Sequence, residues 1–152
     1  MTLAPTDPKV AAILADSMVA LLATRSRAGR PFVTPIWFVV DGGVLYMTTG
    51  LETRAARNIV RHPEVTVLLG GEPPHGRTAL RLRGTATRHA GLPSWRVLAR
   101  IAYKFYLSPA ALAVELPNAA RWRLRARYYA EVPGGAGHLR IVPSAAEILP
   151  RP

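Results

Sequence analysis

The stretch Phe32–Val40 (FVTPIWFVV), followed by Asp41-Gly42-Gly43 and then Val44–Thr49 (VLYMTT), decides the fold. β-branched and aromatic residues dominate both segments, which is typical of β-strands. The two glycines between them supply the positive φ angles that tight hairpin turns require. The sequence therefore predicts a β-hairpin whose first strand runs without interruption over Phe32–Val40.

Shorter signals before and after this hairpin predict more strands and helices. Asp7 before Pro8 has the form of a helix N-cap followed by proline at the first helical position. Thr53 stands in the same capping position, and His62-Pro63 ends the helix that follows it. The other elements predicted in this half are a helical stripe of Val10, Ile13 and Leu14, a buried strand over Val19–Thr24, a turn over Ser26–Pro31, a helix over Thr53–Arg61, a strand over Val65–Leu69 and a loop over Gly70–Gly76.

The second half of the chain shows the same mixture of patterns. Apolar residues occupy every second position of Thr78–His89, which is typical of a strand with one buried face. The remaining predictions are a helix over Pro93–Leu107 with Trp95, Leu98, Ile101, Ala102 and Phe105 on one stripe, a short helix from Ser108-Pro109, a strand over Arg121–Tyr129, a turn over Pro133–Gly137, a last strand over Leu139–Val142 and a capping box between Ser144 and Glu147.

About seven short strands with inserted helices predict a mainly β protein in which an antiparallel sheet closes into a barrel. A parallel doubly wound sheet is disfavoured, because tight turns rather than crossover helices join the early strands. The 152 residues fit a single domain over 1–152.

The charge of the chain is strongly positive and unevenly distributed. Twenty Lys and Arg stand against nine Asp and Glu, and 18 of the 20 are Arg. Residues 1–76 carry a net charge of +1, whereas residues 77–152 carry +10. Because the guanidinium fork matches carboxylates and phosphates, this excess favours an anionic partner, with a solvated surface as the alternative.

Several classes of chemistry are disfavoured by composition and spacing. The absence of Cys excludes disulfides and thiol nucleophiles. The four histidines show no metal-ligand spacing, no serine stands in a Gly-x-Ser-x-Gly turn, and no two carboxylates suggest an acid/base pair. An enzyme with this sequence would therefore depend on a cofactor for its reaction, and no catalytic side chain is predicted.

Hydropathy predicts a protein without a membrane span. Uncharged stretches reach only ten residues, as in Pro31–Val40, which is too short to cross a bilayer. The first residues lack the basic and apolar regions of a signal peptide. We therefore expect a cytoplasmic location.

The strongest local signal for a binding site is Thr48–Asn58 (TTGLETRAARN), where a predicted strand ends and a helix begins. Hydroxyl groups, free backbone N–H groups and two arginines come together there. A helix N-terminus with such groups suits a phosphate. An ordinary capped helix with surface arginines is the alternative interpretation.

The order of these segments resembles one protein family. The segments are LATR at 22–25, GRP at 29–31, TPIWFVVDG at 34–42, LYMTT at 45–49, RNI at 57–59 and HPEVTV at 62–67. They resemble the pyridoxamine 5′-phosphate oxidase-like split β-barrels, which include flavin- and deazaflavin-dependent oxidoreductases. The resemblance is strong over residues 10–90 and holds only in outline over 92–130. It implies a six- to seven-stranded antiparallel split β-barrel that forms an obligate-type homodimer.

The resemblance also implies a cofactor, FMN or alternatively coenzyme F-420 (8-hydroxy-5-deazaflavin), at the dimer interface. The flavin ring would face the second strand, and the end of the third strand with the start of the helix would hold the phosphate or ribityl chain. The implied residues are Val33, Thr34, Pro35 and Ile36 for the ring, and Thr48, Thr49, Thr53, Arg54 and Arg57 for the phosphate side. Ala55 and Phe38 stand where the oxidase subgroup carries Lys, which argues against oxidation of pyridoxamine phosphate itself.

The resemblance implies hydride transfer between this cofactor and a small organic substrate. The arginines of Thr78–His89 and Arg121–Tyr129 would suit the polyglutamate tail of coenzyme F-420. Two alternatives remain open, namely a cofactor-binding or storage protein without turnover and a basic nucleic-acid-binding domain. The latter is disfavoured, because no recognised nucleic-acid-binding motif is present.

Overall fold

The computed structural model describes residues 2–70, 78–107 and 135–150. In these ranges one antiparallel sheet curls into a half-barrel, and three α-helices accompany it. The strands are β1 Thr2–Leu3, β2 Val19–Arg25, β3 Pro31–Trp37, β4 Val39–Asp41, β5 Val44–Gly50, β6 Glu64–Gly70, β7 Thr78–Ala90 and β8 Ala136–Pro150. The helices are α1 Pro8–Asp16, α2 Arg54–Arg61 and α3 Trp95–Ala102, the last continuing into a π-helical turn at Tyr103–Leu107.

The sheet follows the order β3-β2-β6-β7-β8-β5-β4, with β1 paired to β8. Every strand pair is antiparallel. The predicted mainly β, antiparallel split-barrel class is therefore confirmed. The described part of the sheet has eight strands rather than six or seven, while the homodimer and the single domain over 1–152 stay predictions.

The hairpin turn is confirmed, but the long strand before it is not continuous. Gly42 and Gly43 both have positive φ, at 58° and 77°, which permits a two-residue turn between β4 and β5. The predicted strand Phe32–Val40 breaks at Phe38, so that β3 pairs with β2 and β4 pairs with β5. Phe38 and Val39 are both buried in succession, which a regular strand with one buried face does not allow. The break carries the chain from one end of the sheet to the other.

The core lies between the concave side of the sheet and helices α1 and α2. The predicted stripe of Val10, Ile13 and Leu14 is buried, and Asp7 accepts a hydrogen bond from the backbone N–H of Lys9 at the predicted cap. The strand predicted as buried, Val19–Thr24, is buried on one face only. Its other face carries Val19 and Leu21, both partly exposed, as expected for an antiparallel sheet with one uncovered face.

Strands β7 and β8 form the longest pair of the sheet; the predicted strand Leu139–Val142 lies within β8, whereas the predicted capping box is wrong. β8 extends well beyond the predicted Leu139–Val142, and Ser144 and Glu147 lie within it instead of forming a capping box. Ser144 donates a hydrogen bond to the Arg83 carbonyl, and Glu147 pairs with Arg81. Cross-strand pairing over 13 residues of β7, which no local signal shows, makes this segment a strand.

A shift in register between Arg83 and Gly84 marks an irregularity where these two strands approach closely. A Cβ atom on Gly84 would lie 2.5 Å from the Val142 carbonyl oxygen, so only glycine fits there. Irregularities of this kind bend a strand and increase its local twist.

Helix α3 packs through most of the predicted stripe, with Leu98 and Ala102 partly buried, but Val97 takes the place of Trp95. Val97 and Phe105 are buried and Ile101 is partly buried, whereas Trp95 is 80% exposed. Trp37 stacks on Phe105 at a centroid distance of 4.6 Å, which fastens the π-helical turn to the end of β3. The Ser108-Pro109 helix, the Arg121–Tyr129 strand, most of the Gly70–Gly76 loop and the start of the Pro133–Gly137 turn lie outside the described residues.

Candidate functional site

The end of β5 and the start of α2 form a turn held together by hydroxyl groups. The Thr53 hydroxyl donates to the Gly50 carbonyl at 3.1 Å and accepts from the Ala56 N–H at 3.3 Å. Because the Thr53 hydroxyl has a single proton, the Thr49 hydroxyl is the donor in the 3.1 Å contact between the two threonines. The predicted N-cap is therefore confirmed, and Thr49 and Thr53 lie side by side at the helix start.

Both predicted arginines extend from this helix into solvent. Arg54 and Arg57 are exposed and three residues apart, so they lie on neighbouring positions of the helix surface. The Arg54 guanidinium carbon lies 4.8 Å from the centroid of the Phe32 ring, which is a cation–π distance. The start of α2 thus contacts β3 directly.

The four predicted ring-facing residues lie in β3, but strand alternation divides them between two faces. Thr34 and Ile36 are partly buried, and Ile36 packs against the core. Val33 and Pro35 are exposed on the opposite face, with Val33 at 51%. Of these four residues, Val33 and Pro35 present their side chains on the outer face of the sheet, across from Ala23 and Leu21 of β2.

Thr48 lies on the opposite face of β5 from its neighbour Thr49. Its cross-strand partner is His138 of β8, which in turn pairs with His89 of β7. The two imidazole rings stack at a centroid distance of 5.1 Å. The structure therefore brings Thr49, Thr53, Arg54 and Arg57 together at the start of α2 and places Thr48 with the histidine pair.

Asn58 is a site residue that residue patterns alone did not single out. It is 5% exposed and donates a 3.0 Å hydrogen bond to the hydroxyl of Thr24, which is 1% exposed. The Thr24 hydroxyl in turn reaches the Phe32 carbonyl at 3.5 Å. A polar residue among the apolar positions Ala55 and Ile59 was the available signal, because buried amides in proteins are hydrogen-bonded. Asn58 connects α2 through β2 to β3.

Arg88 supports the same turn from the neighbouring strand. Its guanidinium donates to the Leu51 carbonyl at 2.8 Å and lies 3.8 Å from the Glu52 carboxylate. Arg81, on the same strand, is engaged by Glu147, and this guanidinium holds the pKa of the Glu147 carboxyl below its usual value. Two of the arginines expected to form a basic surface therefore have intramolecular partners.

Two further properties of the described residues bear on function. No helix in this part of the chain is long and apolar enough to cross a membrane. Within the same residues, no group of three or more His, Asp or Glu side chains is arranged to hold a metal ion.

Solved structures of several other proteins are similar in fold to this chain. A conserved hypothetical protein from Mycobacterium tuberculosis matches over 95% of this chain and 84% of its own, with a TM-score of 0.68 and 19% identity. An F-420 reductase matches over 90% and 94%, with a TM-score of 0.62 and 21% identity. HutZ, the heme storage protein from Vibrio cholerae, matches over 95% and 93%, with a TM-score of 0.61 and 17% identity. At these identities the likeness establishes the fold alone.

Sequence comparison shows the family. No curated protein matches the chain. The family model described as pyridoxamine 5′-phosphate oxidase matches residues 6–132, which is most of the sequence and includes both β3 and the α2 turn. The chain belongs to the pyridoxamine 5′-phosphate oxidase family.

Proposed function

We propose that this protein is a flavin- or deazaflavin-dependent oxidoreductase. It would bind FMN, or alternatively coenzyme F-420, between two copies of the chain and act on a small organic substrate. The observation that carries the proposal is the contact between the start of α2 and β3. Arg54 contacts Phe32 of β3 directly, and Asn58 is linked to Phe32 through the Thr24 hydroxyl. These contacts join a helix start suited to phosphate with the strand that faces the ring in the family.

The residues at the start of α2 fit a phosphate group. Thr53 satisfies the Ala56 N–H, while other N–H groups of the first turn have no partner within a helix. Those groups and the positive end of the helix dipole favour an anion. Arg54 and Arg57 add two exposed positive charges with planar donor forks. The fit is thus one of charge and of donor geometry.

The outer face of β2 and β3 fits an apolar ring and a second copy of the chain. Val33, Pro35 and Trp37 on β3 lie across from Ala23, Leu21 and Val19 on β2, in the register of the strand pair. Val33, Leu21 and Val19 are each between 39% and 51% exposed. An apolar surface of this kind on a sheet face is typical of an interface. We infer that the cofactor ring and the partner cover it.

Two substitutions separate this chain from true pyridoxamine phosphate oxidases. Ala55 and Phe38, which replace Lys of the oxidase subgroup, are 4% and 1% exposed and pack in the core. Neither position supplies charge to a phosphate. We propose that Arg57, on the exposed side of the same helix, supplies the positive charge that Ala55 lacks.

The contribution of the chain to the reaction is binding and positioning. A bound flavin or deazaflavin supplies hydride transfer at its ring. Arg54, Arg57 and the helix start would hold the phosphate, and the Asn58–Thr24 hydrogen bond would fix the distance between that anchor and β3. Val33 and Pro35 would exclude water from one side of the ring.

Titration of the purified protein with FMN and with coenzyme F-420, followed by cofactor fluorescence, tests the proposal. We expect tight binding of one of the two and reduction of an electron acceptor by the loaded protein. Binding without turnover would instead support the storage function. Absence of binding for both cofactors would contradict the oxidoreductase proposal.

A nucleic-acid-binding domain is less favoured, because Arg81 and Arg88 of the basic strand β7 are held by Glu147 and the Leu51 carbonyl. A random-sequence DNA duplex in the same titration provides the comparison. Strongly salt-dependent DNA binding in a protein that binds no flavin would favour that alternative.

A further inference from the structure

A cavity of about 1250 Å³ lies between α1, α3 and the β4–β5 hairpin. Among the described residues that line it, none belongs to the nine predicted for cofactor binding. Its volume is sufficient for an organic molecule of drug size, for which pockets of roughly 300–1,000 Å³ are usual. The cavity is therefore separate from the start of α2 and has room for a small molecule.

The walls of this cavity combine an apolar floor with an aromatic rim. Leu14 of α1 and Val39 of β4 line it and are buried. Trp95 of α3 and Tyr103 of the π-helical turn also line the cavity, about two helical turns apart. They are 80% and 62% exposed. Large aromatic side chains with this much exposure offer flat faces against which a planar ligand can stack.

The helix that forms one wall carries three cations at intervals of four residues. Arg96, Arg100 and Lys104 all line the cavity and recur on one side of the helix. The Nε atoms of Arg96 and Arg100 lie 3.3 and 3.0 Å from one carboxylate oxygen of Asp41. Asp16 is the only carboxylate among the described residues that line the cavity, so the described part of this wall is rich in cations, which favours an anionic ligand.

Lys104 is the innermost of the three by its contacts. Its ammonium donates to the Phe38 carbonyl at 3.0 Å and lies 3.9 Å from the centroid of the Phe38 ring. Burial lowers the pKa of Lys104 to about 8. An anion bound beside a partly desolvated ammonium would stabilise its charged form.

From these contacts we propose that the cavity binds a planar aromatic carboxylate or sulfonate. The aromatic body would lie against Trp95 and Tyr103, and the anionic group would point toward Lys104 and Arg100. Each guanidinium has five N–H donors, so Arg100 retains donors for a ligand after contacting Asp41 and the Val40 carbonyl. The proposal does not depend on the cofactor site.

Calorimetric titration of the cofactor-free protein with 2-naphthoate, and with uncharged 2-naphthalenemethanol, tests this site. We expect the carboxylate to bind more tightly than the alcohol by about tenfold or more, as charge-assisted hydrogen bonds imply. Lys104→Gln and Arg100→Gln should each weaken naphthoate binding by about tenfold and leave binding of the alcohol unchanged. Arg83→Gln, which removes an exposed arginine of β7, is the matched control and should change neither.

The pH dependence supplies an independent readout. Lys104 carries its charge below about pH 8, so naphthoate affinity should fall as pH rises through 8, and Lys104→Gln should remove this dependence. The other charged or titratable groups among the described lining residues are Asp16, Arg96, Arg100 and Tyr103, and Asp41 contacts the two arginines; all of them remain in this variant. Thermal unfolding of each variant checks that it is folded. If Lys104→Gln does not fold, Arg100→Gln tests naphthoate binding in its place.

Three results would overturn the proposal. They are no binding of naphthoate at millimolar concentration, equal affinity for the acid and the alcohol, and an effect of Arg83→Gln as large as that of Arg100→Gln. Because no flavin is present, each of these results leaves the proposed oxidoreductase function untouched.

Discussion

Replacing Asn58 by Ala should destabilise the protein by about 2–3 kcal/mol. The substitution removes the 3.0 Å hydrogen bond to Thr24, which is worth about 1 kcal/mol net between buried groups. It also leaves the Thr24 hydroxyl without its donor and opens a space where the carboxamide packed, which together add about 1–2 kcal/mol. For a chain of this length, the change corresponds to a fall in Tm of roughly 4–12 °C.

A double-mutant cycle with Thr24→Val isolates the hydrogen bond from the loss of packing. Urea unfolding of the wild type, both single variants and the double variant gives the coupling free energy, which we expect to be about 1 kcal/mol. A coupling near zero would show that α2 and β2 are held together by apolar packing alone. The proposed link between the phosphate anchor and β3 would then be refuted.

Three further substitutions have effects that follow from single contacts. Gly84→Ala should destabilise the sheet by about 1–3 kcal/mol, because its Cβ would lie 2.5 Å from the Val142 carbonyl oxygen, and thermal unfolding measures this loss. The hydrogen bond with Arg81 lowers the pKa of Glu147. The ion pair therefore stabilises the fold at neutral pH, and this stabilisation is lost as the pH falls through the lowered pKa. Glu147→Gln should reduce this acid dependence, which unfolding experiments at a series of pH values measure. Thr53→Ala should cost about 1 kcal/mol through loss of the cap of α2, visible in urea unfolding, whereas Thr53→Ser should restore most of it.

Features fixed by neighbouring residues were predictable from the sequence. The Gly42-Gly43 turn, the Asp7 and Thr53 caps and the alternation of β7 each depend on residues close in the chain. The two caps also fix where α1 and α2 begin. The sequence therefore predicts where the candidate phosphate site begins.

Features fixed by distant contacts were not predictable in this way. The break at Phe38 carries the chain between the two ends of the sheet, and the length of β8 depends on its pairing with β7. Asn58 and Thr24, which are hydrogen-bonded, are 34 residues apart in the sequence. Lys104 and Phe38 are 66 residues apart. No periodicity within a segment reports such contacts.

The division of the predicted site between two faces follows from the alternation of side chains along a strand. Thr48 and Thr49 are adjacent in a strand, as are Val33 and Thr34, so each pair must point to opposite sides of the sheet. The two-residue period therefore places only Thr49 at the α2 turn. It likewise places Val33 and Pro35 together on the outer face.

We infer that the start of α2 holds the phosphate of a flavin cofactor. The test is the ratio of the dissociation constants of riboflavin and FMN, measured for the wild type, Arg57→Ala and Arg61→Ala. Arg61→Ala is the control, because it removes an exposed arginine from the last turn of the same helix. We predict that the wild type and Arg61→Ala bind FMN at least about tenfold more tightly than riboflavin, and that Arg57→Ala loses most of this preference. Equal affinity for the two flavins in the wild type, or an unchanged ratio in Arg57→Ala, would contradict the account.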